Sequence, residues 1–194
     1  MQTITHVYDT YQLAADSVRE LEAAGIPSDR ISIVTSDEEA QLSGVVLDTE
    51  TEAAPAAGFG AVIGGAVGLL TGLGVMAIPG VGPVVAAGWL ATTALGAVAG
   101  GATGGIVGSL IDAGVPEDHA HLYSETVRRG GSLVSVRADD SDVDRVRDIL
   151  SGYNPLDLQS QETAFRSTGW NRFDPDAAPY VNVDRRDDSN ARIS

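Results

Sequence analysis

The chain has 194 residues, 27 of them acidic and 12 basic, for a net charge of −15; it contains no cysteine, and every basic residue is arginine. Disulfides, cysteine-ligated zinc, a P-loop and lysine-based Schiff chemistry are therefore excluded. Nucleic acid is not an expected partner either, because binding there depends on a basic face that neutralises phosphates.

The opening MQTITHVYDT has no basic n-region and no apolar h-region, so a cytoplasmic location is expected. Thr3–Tyr8 alternates as a strand, and Asp9 or Thr10 can cap the helix behind it. That helix carries Tyr11, Ala14, Val18 and Leu21 on one face and stops at Gly25, with Pro27 beyond. Arg30–Thr35 reads as a second strand, which completes a β-α-β unit in residues 1–52.

Residues 53–111 differ in kind. Between Ala53 and Ile111 there is no Asp, Glu, Arg or His. Glycines recur at every fourth position, at Gly60, Gly64, Gly68 and Gly72 and again at Gly96, Gly100, Gly104 and Gly108. Small-xxx-small spacing lets helix backbones approach closely, so the segment reads as a glycine-zipper hairpin of two helical arms, Ala57–Ala77 and Val84–Ile111. IPGVGP, with Pro79, Gly80, Gly82 and Pro83, makes the turn between them. A tip at Gly80–Val81 would set Gly64 level with Gly96 and leave Gly104 and Gly108 for another subunit. Each arm has about the 20 residues that a membrane span needs, although its flanks are acidic where a cytoplasmic flank should be basic. The hairpin is expected to be replaceable by a short linker without loss of the surrounding domain.

In residues 112–158, Pro116 opens a helix running to Arg129 and closed by Gly130–Gly131. Ser132–Ala138 is a strand, DDSD caps a helix with Val143, Val146 and Leu150 on one face, and Pro155–Leu158 is a short last strand. Two β-α-β units in series point to an α+β fold: a ferredoxin-like sandwich of four antiparallel strands on two helices, split by the hairpin. Residues 159–194 form an extended polar C-terminal arm, anchored through Phe165, Trp170, Phe173 and Tyr180.

Several local patterns have plain structural readings. GFGAVIG lacks the spacing, preceding strand and following acidic residue of a dinucleotide site. His119 and His121, at i and i+2, do not share a helix face and do not make a metal pair. DDSDVD has Arg145 where a calcium loop needs glycine. Arg128–Arg129 reads as solvated charge at a helix end. No catalytic, cofactor-binding or metal residue is assigned, and no enzyme is expected.

Gly72–Leu90, Gly114–Asp140 and GWNRFDPDAAPY (Gly169–Tyr180) together resemble bacterial proteins of the general-stress-protein 17M-like (YflT-like) kind, in which a glycine-rich apolar hairpin splits a small α/β domain. The resemblance implies a stress-linked protein without known catalytic residues. The expected function is that of a non-enzymatic structural protein. It would self-assemble and associate with a lipid bilayer through the hairpin, on the cytoplasmic side of the inner membrane. The alternative is a soluble, cytoplasmic homo-oligomeric ligand-binding or interaction module, with the hairpin buried in a protein core.

Overall fold

The computed structural model describes residues 1–36, 39, 74–78, 81–91, 93 and 105–177. In chain order the elements are β1 (Gln2–Tyr8), α1 (Tyr11–Ala23), a 3-10 turn (Ser28–Arg30), β2 (Ile31–Ser36), β3 (Gly74–Ile78) and β4 (Gly82–Gly88). Then come α2 (Gly105–Asp112), α3 (Glu117–Arg128), β5 (Ser132–Ala138), α4 (Val143–Gly152) and α5 (Leu158–Ser167). The local signals explain the first unit: Thr10 caps α1 by accepting from the Leu13 N–H at 3.4 Å, and Gly25, at φ 87°, ends it.

The architecture is mixed α/β around one antiparallel sheet of order β1-β5-β2-β4-β3. β1 and β2 run parallel with β5 between them, antiparallel to both. α1 and α4 pack on one face of the sheet. Two features depart from the expected sandwich. Pro155–Leu158 is no strand: its contribution to the sheet edge is one bond, Leu156 N–H to the Val7 carbonyl at 2.8 Å, before α5 starts. The second face is not bare but is covered by α2, α3 and Phe173.

The sheet is instead extended on the far side of β2, by the insertion itself. Residues 74–78 and 82–88 are strands, where the glycine spacing predicts the ends of two helices. Their ladder pairs Gly74 with Ala86 and Ile78 with Gly82, so the hairpin tip lies within one residue of the predicted one. The turn was legible; the elements it joins were not. Val84, Val85, Ala86 and Ala87 are all at most 1% exposed, because β4 has strands on both edges and a packed core on both faces. A strand so placed reads as a continuous apolar run rather than as an alternating one. The remaining predicted helical arms, 57–73 and 92–104, lie outside the described residues except for Thr93.

β4 ends where its backbone meets β2. Gly88 pairs with Ser32 at φ 84°, and a Cβ there would stand 1.9 Å from the Ile31 carbonyl oxygen. The chain then turns into a helical stretch at residues 89–91, tied back by the Leu90 N–H to Ser32 Oγ at 2.9 Å. Face assignment follows strand alternation: Ile31, Ile33, Val85, Val134 and Val136 join α1 and α4, while Val34, Val84, Ala86 and Leu133 join α2 and α3. α2 enters that second core through Ile106 and Leu110. Replacing residues 53–111 by a linker would therefore remove a central strand and part of a core, which overturns the expectation that the insertion is dispensable.

Candidate functional site

Polar and aromatic side chains gather where the C-terminal segment lies against α3. α5 is a helix within a stretch the sequence reads as irregular, and Asp157 caps it by accepting from the Ser160 N–H at 2.8 Å. Phe165 and Phe173 are buried and Trp170 is half-buried, its ring edge-on to Phe165 at 5.8 Å. Tyr180 lies outside the described residues.

Two polar groups tie this segment to α3. At the helix C-terminus, Glu125 is fully buried and accepts from both neighbouring arginines. Arg128 grips it with two bonds, Nε to Oε2 at 2.9 Å and Nη2 to Oε1 at 2.7 Å; Arg129 Nε reaches Oε1 at 2.7 Å. The Arg129 guanidinium also stacks 4.2 Å above the Phe165 ring. The arginine pair is thus an interior charge network, not the solvated helix-end charge expected from the sequence. The sequence does carry a signal for it: Glu125 stands three and four residues before the arginines, on one helix face.

At the N-terminal end of α3, Arg172 forks onto two residues one helical turn apart. Its Nε donates to His121 Nε2 at 2.9 Å and its Nη2 to Glu117 Oε1 at 2.5 Å. His121 must then be neutral and carry its proton on Nδ1, an atom that is buried and has no hydrogen-bond partner among the described residues. Burial, and next the Arg172 charge, hold its pKa below the ordinary histidine value, while Glu117 and Asp118 act the other way. These residues, with Glu162, Arg166 and Trp170, line a cleft of about 120 Å³. Arg166 is bound to Glu162 and Arg172 to Glu117, so the cleft's cations are engaged by its carboxylates. Among the described residues no three His, Asp or Glu side chains gather as a metal-binding group. The chemistry available here is docking: a charged fork and two buried aromatics hold one part of the chain on another.

The other positions singled out by sequence are scattered. Gly60, Gly64, Gly68, Gly72, Gly96, Gly100 and Gly104 lie outside the described residues, as do Pro79 and Gly80. Gly108 is half-buried on α2, Gly82 opens β4, and Pro83 is exposed beside it, opposite Ala77.

Residues 3–79 match the family model of the heat induced stress protein YflT domain. Over that stretch the chain is similar to the YflT domain. Neither the curated proteins nor the solved structures yield a match. The YflT-like segment supplies β1, β2 and β3, which occupy the first, third and fifth places in the sheet; β5 and β4, from outside it, fill the places between. No two described strands of the matched segment pair with each other.

Proposed function

We propose that this YflT-like protein is a non-enzymatic, stress-associated structural protein that self-assembles through its charge-free insertion. The observation that carries the reading is the position of β3. Among the described residues it is an edge strand that pairs with β4 alone, and it contains neither charge nor proline. Soluble proteins guard such edges with charges, prolines or bulges, and an unguarded edge is a template for another strand. The occupant we infer is a second copy of this chain. Two molecules each carrying −15 repel one another over most of their surface, and residues 53–111 are where no charge opposes contact. The stress link is supported by the family match.

The test is sedimentation of the full chain in lipid-free buffer beside Val75→Lys and Met76→Lys. Successive strand residues point to opposite faces, so at one of the two positions the lysine leaves any given face untouched while charging the edge. Oligomers in the wild type that fall to monomers in either variant support the proposal. A wild type that is monomeric at all concentrations overturns it. The second reading, association with a bilayer, rests on the same lack of charge. Among the described residues no helix is long and apolar enough to cross a membrane. Flotation of the monomer on phosphatidylglycerol vesicles would favour that second reading.

A further inference from the structure

The Arg172 fork holds in place a segment whose removal would uncover apolar surface. Phe165 and Phe173 are both buried, Phe173 in the core shared with α2 and α3, and Trp170 leans on Phe165. Only a few polar contacts close the far end of this segment, and one of them, Arg172 Nε to His121 Nε2, depends on an acceptor that a single proton abolishes.

We propose that His121 and Arg172 form a proton-sensitive clasp that keeps the C-terminal segment shut at neutral pH and releases it in acid. A proton on Nε2 removes the acceptor and sets an imidazolium against a guanidinium at the same 2.9 Å. The surroundings decide how far this goes. On α3, Glu117 Oε1 lies 3.6 Å from Nε2 and Asp118 is nearby, and both favour the charged ring. Glu117, however, is already bound by Arg172, and a protonated His121 would compete with Arg172 for that carboxylate. On α5, Glu162 and Arg166 line the same cleft but are paired with each other. Because the pKa of His121 is lowered in the closed form, its support for closure is fully present above about 6.5 and is lost as pH falls through the depressed value. Each unit of depression corresponds to about tenfold in the open-to-closed ratio.

The experiment is amide hydrogen exchange of the full chain from pH 7.5 to 5.0, corrected for the intrinsic pH dependence of exchange. Exchange in 158–173 should rise on acidification while the sheet strands stay protected. His121→Gln keeps an oxygen acceptor for Arg172 but cannot titrate, and should make the segment's protection independent of pH. His119→Gln, exposed on the same helix turn, should behave as wild type. A flat wild-type profile, or a His121→Gln profile identical to a rising wild-type one, overturns the clasp. A second measurement does not depend on the folding of the histidine variant: NMR titration of His121 in Arg172→Leu. The imidazole pKa should move up once the guanidinium is gone, and an unchanged value overturns the proposal.

Discussion

Gly88→Ala tests the placement of β4 most directly. At φ 84° an alanine is in the left-handed region, which costs an L-residue about 1–2 kcal/mol. The methyl would also stand 1.9 Å from the Ile31 carbonyl oxygen, 2.7 Å from Ser32 Oγ and 2.8 Å from Ser32 Cα. Two of those three atoms are backbone of the neighbouring strand, so no rotamer change relieves the overlap and β2 and β4 must separate. Overpacking of that kind adds about 1–3 kcal/mol, for a total loss of about 2–5 kcal/mol. Gly25→Ala is the matched control: its φ is 87°, but nothing lies within 4 Å of the added methyl, so only the strain of about 1–2 kcal/mol remains. Urea unfolding followed by far-UV circular dichroism reads the difference, and with m of about 1–3 kcal/mol/M the two midpoints should separate clearly. If Gly88→Ala unfolds within about 0.5 kcal/mol of Gly25→Ala, β4 does not lie against β2, and the sheet described above is wrong.

Replacing residues 53–111 by a short flexible linker should yield an unfolded or aggregated product by circular dichroism, since β4 and the α2 side of the core leave together. Glu125→Leu removes the buried carboxylate that Arg128 and Arg129 share, and should cost about 3–5 kcal/mol in thermal or urea unfolding. Tyr8 and Tyr123 are both pushed up to about 12 by burial, with their hydroxyls donating to the Leu150 and Thr5 carbonyls. Their pKa values are raised in the fold, so the stability they support is intact below about pH 10 and is lost as pH rises through about 12. Absorbance titration should show these two phenols ionising only with loss of structure; free ionisation near pH 10 in the folded protein would contradict their burial.

The legible parts of the sequence were those where local chemistry and tertiary structure agree. β1, α1, β2 and β5 each have an alternation or a one-sided face bounded by Thr10, Gly25 or Gly131, and their observed ends fall within a residue of the expected ones. The insertion misled for a physical reason. A charge-free run of Gly, Ala and Val fits a buried strand or an apolar helix equally well, and the four-residue glycine period tipped the choice to helix. Val75, Val84 and Val85 were the β-branched signal on the other side. The turn survived the error because two prolines and two glycines reverse a chain whatever flanks them. α5 went unseen because only Phe165 of its ten residues is buried, leaving no apolar period to read. The clasp could not be read at all: His121 and Arg172 are 51 positions apart, and nothing in either stretch points to the other.

The interleaving of the sheet bears on how the chain is made. Gln2 pairs with Ala138 and Tyr8 with Ser132, so β1 waits for β5, made much later, to fill the place between it and β2. Until then β1 and β2 have a gap between them. Meanwhile β3 and β4 can already zip into a hairpin, because Ile78 and Gly82 are nearly adjacent in the chain. The nascent protein therefore carries a long apolar segment and a half-built sheet through most of its synthesis, the condition in which unpaired edges find wrong partners. A chain with this topology keeps unpaired edges open for longer than a domain completed strand by strand.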